Sequence, residues 1–230
     1  MFKIINHRNN CYLNTILQLF LNSKVKNLVL SILTGINNNI IDPSNILKLL
    51  SNDIDIKIQN DAHEAFIKLI DKIPKLKPYF EGIIKYEFLC NNCNIKRKKY
   101  EIFYSLILYD TNIKNNFKNS LETESCNIFC DVCNCNTFTN KKNIYKKLPD
   151  ILVFFNILKL DIEIFNNLII NNKNYILIAI IKHIGNQNNG HYFFIDIKNQ
   201  VTYDDMNITK NESIDNKNSY LIIYELEDTI

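Results

Sequence analysis

Gly190-His191-Tyr192-Phe193-Phe194-Ile195-Asp196-Ile197, then Lys198-Asn199-Gln200, then Val201-Thr202-Tyr203-Asp204-Asp205, is the stretch whose reading decides the fold. Two runs rich in aromatic and β-branched residues flank a short polar turn, which predicts a β-hairpin. Folding back brings the start of the first strand near the end of the second, so His191 and Asp204 meet within a few residues across the ladder. An acid beside an imidazole fixes its tautomer and stabilises the imidazolium. Each residue alone has a plainer reading. A strand histidine often only packs on its sheet, and paired aspartates often only make a turn. Their placement on one hairpin favours the chemical reading. Gly190 lets another backbone or a substrate approach closely, and the tract before it reads as a flexible loop.

Working outward, Ile151–Leu158, Tyr175–Ile181 and Tyr220–Leu226 read as further strands, separated by Asn, Gly and Asp turns. Tyr86–Leu89 and Tyr100–Tyr109 are strands of an earlier group. The first third is helical instead. Leu13, Ile16, Leu17, Phe20 and Leu21 recur at helical spacing from Cys11. Pro43–Leu50 begins a second helix after Asp42 as cap. Asp61 caps a third, with Ala65, Phe66, Leu69 and Ile70 as its apolar face, and Pro74 and Pro78 end that segment. Ile36–Ile41 is asparagine-rich and reads as a loop. Helices first and strands after predict an α+β fold.

The chain has 230 residues, 47% hydrophobic, with 22% charged and a net charge of +3. That is enough apolar material for one sizeable core. So small an excess of charge points to neither nucleic acid nor a membrane surface as the main partner. Met1–Asn10 lacks the apolar centre of a secretory leader, and no apolar run is long enough for a bilayer. An intracellular protein, cytoplasmic or nuclear, is the expectation. Seven cysteines there point to catalysis or metal binding rather than disulfides.

Cys11 opens an amphipathic helix, where backbone N–H groups favour a thiolate, the reactive form. A lone cysteine is more often buried and inert, so Cys11 needs its neighbours to count. Cys90-x-x-Cys93 and Cys130-x-x-Cys133 are two knuckles of the kind that grips tetrahedral zinc. The gap between them is long enough to hold structure of its own. Cys126 and Cys135 lie close by as substitute ligands.

Taken together, these motifs resemble the ubiquitin-specific protease family, the papain-like deubiquitinases. The family's cysteine box looks like Asn6, Asn9, Cys11, Tyr12, Asn14, Leu17 and Gln18. A second block is similar to Gln59-Asn60-Asp61-Ala62-His63-Glu64. The knuckle cysteines, Leu148-Pro149, Gly190-His191-Tyr192, Tyr203-Asp204-Asp205 and the closing strand Ser219–Tyr224 follow in family order. Arg8 stands where the family has glycine, Asn10 where it has threonine, and Asn60 where it has a second glutamine. Lys159-Leu160 lacks the family's usual continuation.

The resemblance implies a papain-like hand: a thumb over residues 1–82, zinc-ribbon-like fingers over 83–147 and a palm over 148–230, all one catalytic domain. It implies Cys11 as nucleophile, His191 as base, Asp204 as its partner, Asn6 at the oxyanion and Asp205 as a helper beside it. Gln59, Asp61, Glu64 and Tyr192 would meet the substrate. One structural zinc per chain would sit on Cys90, Cys93, Cys130 and Cys133. The implied partners are ubiquitin and ubiquitinated proteins, met by a monomer that cuts after ubiquitin's last glycine. A protease for a ubiquitin-like modifier, or an inactive ubiquitin-binding relative, shares most of these features.

Overall fold

The computed structural model of the protein describes residues 1–186, 190–211 and 215–228. Along the chain run β1 (Lys3–Ile4), α1 (Cys11–Leu21), α2 (Lys26–Leu30), β2 (Ile36–Asn37), β3 (Ile40–Ile41), α3 (Ser44–Leu50), α4 (Ala62–Lys72) and α5 (Lys77–Phe80). Then come β4 (Gly82–Cys90), β5 (Lys96–Phe103), β6 (Leu106–Ile107), α6 (Ile113–Asn119), β7 (Thr123–Cys130) and β8 (Cys135–Lys147). The chain closes with β9 (Ile151–Phe155), β10 (Asn167–Ile170), β11 (Lys173–Gly185), β12 (Gly190–Asp196), β13 (Val201–Asp204), β14 (Asn207–Lys210) and β15 (Ser219–Leu226). This is an α+β fold, helices first and strands after.

The large sheet runs β14-β13-β12-β11-β15-β9-β6, with β10 paired to β11. Its central strands are apolar on both faces, and the alternation decides which core each side chain joins. Val153, Phe155, Leu221 and Ile223 face the helices, whereas Leu152, Phe154, Ile222 and Tyr224 fill a second core behind the sheet. That double burial is why Ile151–Phe155 and Tyr220–Tyr224 read as unbroken apolar runs.

Helix α1 is buried along its whole length. It packs against β12 and β13 on one side and α4 on the other. Its polar side chains are therefore enclosed, and Asn14, Thr15 and Gln18 each find a partner. Gln18 Nε2 donates to the Phe2 carbonyl at 2.7 Å, and Thr15 Oγ1 donates to the Tyr12 carbonyl at 2.9 Å.

A separate four-stranded antiparallel sheet, β5-β4-β8-β7, carries the knuckles. Strand β4 ends at Cys90, and the β7–β8 hairpin pairs Cys130 with Cys135. Each knuckle is a Cys-x-x-Cys-Asn turn whose asparagine takes a left-handed backbone, Asn94 at φ 57° and Asn134 at φ 52°. Asparagine tolerates that conformation better than most residues.

Several expectations change. Ile36–Ile41 is not a loop but a tight hairpin turning on Asn38 and Asn39, at φ 49° and 63°. Tyr100–Tyr109 is broken between β5 and β6, which join different sheets. Pro78 does not end a helix. It sits in the first turn of α5, where its missing N–H costs nothing. Asp42 lies one residue before the α3 cap position, yet its Oδ1 accepts from the Ser44 amide at 2.9 Å. Asp61 does cap α4, accepting from the Glu64 amide at 2.9 Å.

Candidate active site

The β12–β13 hairpin holds Phe194 opposite Tyr203 and Asp196 opposite Val201. Beyond Phe194 the strands part, and His191 and Asp204 close the gap with their side chains, Nε2 to Oδ1 at 2.6 Å. This leaves Nδ1 of the ring for the Cys11 thiol, the largest of the influences that raise the ring's pKa. Cys11 is the first residue of α1 and only 3% exposed. The thiol and the Asp204 carboxylate both favour the charged ring. Against the opposing effect of burial they raise its pKa to about 9, the thiol first.

The next residue does a different job. Asp205 takes a left-handed backbone, φ 52°, at the two-residue turn into β14. Its carboxylate lies within 4.8 Å of a His191 ring nitrogen and of the Asp204 carboxylate, but its hydrogen bonds go to asparagines. Oδ2 accepts from Asn6 Nδ2 at 2.7 Å, and Oδ1 accepts from Asn14 Nδ2 at 2.6 Å. Its carbonyl also accepts from the Ile4 amide at 3.3 Å. The loop before Cys11 is tied down at more points: Asn10 Nδ2 donates to Asn14 Oδ1 at 2.9 Å, and Asn6 Oδ1 accepts from the Asn10 amide at 3.3 Å. Asn10 thus has a task in holding the loop, although sequence reading took it only as a departure from the family.

Arg8 is exposed. The left-handed turn in this loop falls on Asn9, φ 53°, and not on Arg8. The backbone therefore does not require glycine at position 8. Arg8→Gly is expected to change turnover less than about twofold, since surface changes of this kind rarely exceed ~0.5 kcal/mol. Steady-state kinetics on a ubiquitin amide would check it, and a tenfold rise would show that the guanidinium restrains the site.

Gln59, Asp61 and Tyr192 converge on a cavity of about 260 Å³ beside this centre, with Phe155, His183 and Tyr220. Gln59 grips the backbone of Gly190: Oε1 accepts from its amide at 3.0 Å and Nε2 donates to its carbonyl. Asp61, besides capping α4, accepts from the Tyr220 hydroxyl. Glu64 is one turn along the helix and exposed. Tyr192 is buried, and burial raises its phenol far above the ordinary range.

Sequence reading missed His183. It is 5% exposed, pairs with Tyr192 in the sheet and stacks on that ring at 4.2 Å. Burial lowers its pKa, so it favours the neutral ring. Neither ring nitrogen has a hydrogen-bond partner among the described residues. It also explains Gly190: a Cβ there would lie 2.0 Å from His183 Nε2. The available signal was a histidine two residues before the end of the strand that pairs with His191.

At the far end of the small sheet, the sulfurs of Cys90, Cys93, Cys130 and Cys133 lie within 4.8 Å of one another. Cys90 and Cys133 are 3.9 Å apart, and Cys93 and Cys130 are 3.7 Å apart. A tetrahedral metal with bonds of about 2.3 Å to sulfur would set its ligands about 3.8 Å apart. The four cysteines can therefore hold a metal ion. Cys126 and Cys135 are outside this cluster: Cys126 Sγ faces the Thr139 carbonyl at 3.4 Å, and Cys135 is exposed.

Comparison with known proteins agrees with this geometry. Residues 21–224 match the family model described as ubiquitin carboxyl-terminal hydrolase. The matched span begins after Cys11 and does not include it. Ubiquitin carboxyl-terminal hydrolase 24 from Mus musculus is 26% identical over 125 residues, covering 47% of this chain, and the Homo sapiens protein gives the same figures. The chain spans 5% of the length of these relatives. Among solved structures, the SAGA Ubp8/Sgf11/Sus1/Sgf73 DUB module bound to ubiquitin aldehyde has a TM-score of 0.80 at 17% identity, covering 100% of this chain and 70% of that one. The same module with a Ubp8 variant, bound to monoubiquitin, has a TM-score of 0.78 at 19% identity and equal coverage. No helix among the described residues is long and apolar enough to cross a membrane. The family match over most of its length shows that the chain belongs to the ubiquitin carboxyl-terminal hydrolase family.

Proposed function

We propose that the protein is a thiol-dependent deubiquitinase that hydrolyses the bond after the last glycine of ubiquitin. The observation that carries this reading is His191 hydrogen-bonded to Asp204 at 2.6 Å, with Cys11 the largest influence that raises the ring's pKa. With its pKa raised to about 9, the ring holds its proton at neutral pH, and Cys11 at the start of α1 reacts as the thiolate. The thiolate attacks the glycine carbonyl. Asn6 Nδ2 and the Cys11 backbone N–H stabilise the oxyanion, and Asp205 holds Asn6 in place for that task. His191 then protonates the leaving amine, and water hydrolyses the thioester. Incubation with a C-terminally electrophilic ubiquitin should give a covalent adduct at Cys11. No adduct, or one at another cysteine, would defeat the reading.

In this reading residues 1–82 act as thumb, 83–147 as fingers and 148–230 as palm, in a monomer that works inside cells. Zinc is the metal we assign to Cys90, Cys93, Cys130 and Cys133, one ion per chain. Four thiolates close its coordination, so it orders the fingers and takes no part in the chemistry. Ubiquitin rests on the fingers, and its tail runs through the cavity of Gln59, Asp61 and Tyr192.

The charge state of His191 predicts the pH profile. Its pKa is raised, so the proton is kept up to about pH 9 and lost above it. The profile of kcat/KM for a ubiquitin amide should therefore fall on its alkaline limb near pH 9. In Asp204→Asn a supporting charge is lost, and the limb should move to lower pH. Asp205, already bonded to Asn6 and Asn14, is not free to take over. A limb that stayed in place would detach Asp204 from the imidazole.

Glu64 offers a test of tail reading. It is exposed and has no ion-pair partner among the described residues. A carboxylate there can receive an arginine of ubiquitin's tail by charge-assisted hydrogen bonds. Glu64→Lys should raise KM several-fold with little change in kcat. Unchanged kinetics would place tail recognition elsewhere.

A further inference from the structure

A second pocket, about 670 Å³, is lined in part by His7 and Arg8 of the loop before Cys11. Arg8, Lys48 and Lys57 line it, over a floor of Leu47 and Ile56. All three cations are exposed, and none has an ion-pair partner among the described residues. No carboxylate lines the pocket. Asp42, Asp53 and Asp55 lie close in the chain, and each already has a partner of its own. Asp42 accepts from His7 at 2.8 Å and from Ser44 at 2.6 Å. Asp53 pairs with Lys72 at 2.7 Å. Asp55 accepts from the Lys57 backbone amide at 3.0 Å.

The position of the pocket matters as much as its charge. Residues 56–61 run from this pocket, at Ile56 and Lys57, into the tail cavity, at Gln59 and Asp61, and no residue lines both. Cys11 and Asn6 belong to the loop and helix start between which the scissile bond would sit, and Arg8 lies between them in the chain. One cavity carries a single anion and a single cation, Asp61 and Lys159. The other offers three unpaired cations over an apolar floor. A charge-balanced cavity and a basic one, joined by one short segment, suit two different chains, one on each side of the bond.

We propose that the basic pocket binds an acidic stretch, carrying a leucine or isoleucine, of the protein to which ubiquitin is joined. This rests on the deubiquitinase reading, and it adds a preference for what leaves rather than for what is held. The cations attract the acidic side chains, and Leu47 with Ile56 receives the apolar one. The structure thus makes Lys48 and Lys57 specificity-determining residues outside the catalytic group.

The test uses ubiquitin carrying a small fluorogenic amide, and ubiquitin joined through a lysine to peptides with acidic or neutral flanks. The acidic-flanked conjugate should have kcat/KM about fivefold or more above the neutral one at low salt, the scale of two or three exposed charge contacts. Molar salt, with a Debye length of about 3 Å, should erase the difference. Lys48→Glu with Lys57→Glu should abolish the preference and leave the fluorogenic amide unaffected, which also shows that the variant is folded. Equal rates for both conjugates, or a preference that survives the double variant, would overturn the proposal. Fluorescence anisotropy of the labelled acidic peptide alone separates the two readings. Saturable binding that the double variant loses, without cleavage of the amide, would sustain the pocket and defeat the deubiquitinase. Cleavage of the amide without such binding would do the reverse.

Discussion

Cys11→Ala is expected to lower hydrolysis of a ubiquitin amide by at least ~10⁴-fold, the scale seen when one member of a catalytic group that acts as a unit is removed. Binding of ubiquitin should change little, because a thiol only 3% exposed adds almost nothing to a protein-sized interface. His191→Ala should be as inactive, and the double variant no worse than either. That non-additivity separates a nucleophile and its base from two residues that each merely support the fold. Turnover and calorimetric binding measured on the same preparations would decide. Substantial turnover by Cys11→Ala would remove the thiol from the mechanism, whatever its distance from His191.

Cys130→Ser should have the largest effect on structure. Structural zinc supplies folding free energy of about 10–16 kcal/mol in small metal-dependent peptides, far more than a surface contact. Cys90 and Cys130 are each 1% exposed, so a broken site cannot readily be filled by water. The small sheet should loosen, ubiquitin should bind at least tenfold more weakly (~1.4 kcal/mol), and zinc content should fall from one per chain towards none. A small ester that needs only the catalytic group should react nearly as before, because the large sheet keeps its own two cores. Protein purified without chelator that held no zinc, yet bound ubiquitin normally, would end the metal assignment.

What could be read in the sequence depended on how local each signal was. The hairpin of His191 and Asp204 was legible because a short polar turn sets its geometry within sixteen residues. Asp61 as a cap was legible for the same reason, since its partner is the Glu64 amide. The knuckles were legible as repeated spacing, and so was Tyr86–Leu89 in the strand before Cys90, but the two strands around the second pair were not. Thr123–Cys130 and Cys135–Lys147 are polar on most positions, so no alternation marked them. Helix Ile113–Asn119 hid in a polar stretch, with only Ile113 and Asn116 buried. Contacts distant in sequence were the least legible. Asp205 and Asn14 are 191 residues apart, as the structure pairs them, and Gln59 reaches Gly190 across 131. No periodicity announces such pairs. His183 was missed because its place is set by two tyrosine rings from neighbouring strands, Tyr192 and Tyr220.

The enclosure of α1 on every side has a consequence for how the molecule opens. Amide protons in a helix with a free face exchange with solvent through local fraying, at little cost. A helix buried along its full length exchanges only when the layers around it separate, in the slowest openings of the domain. The nucleophile we propose, Cys11, therefore rides on the last segment to come apart, on a different sheet's core from the four cysteines at the tip of the small sheet.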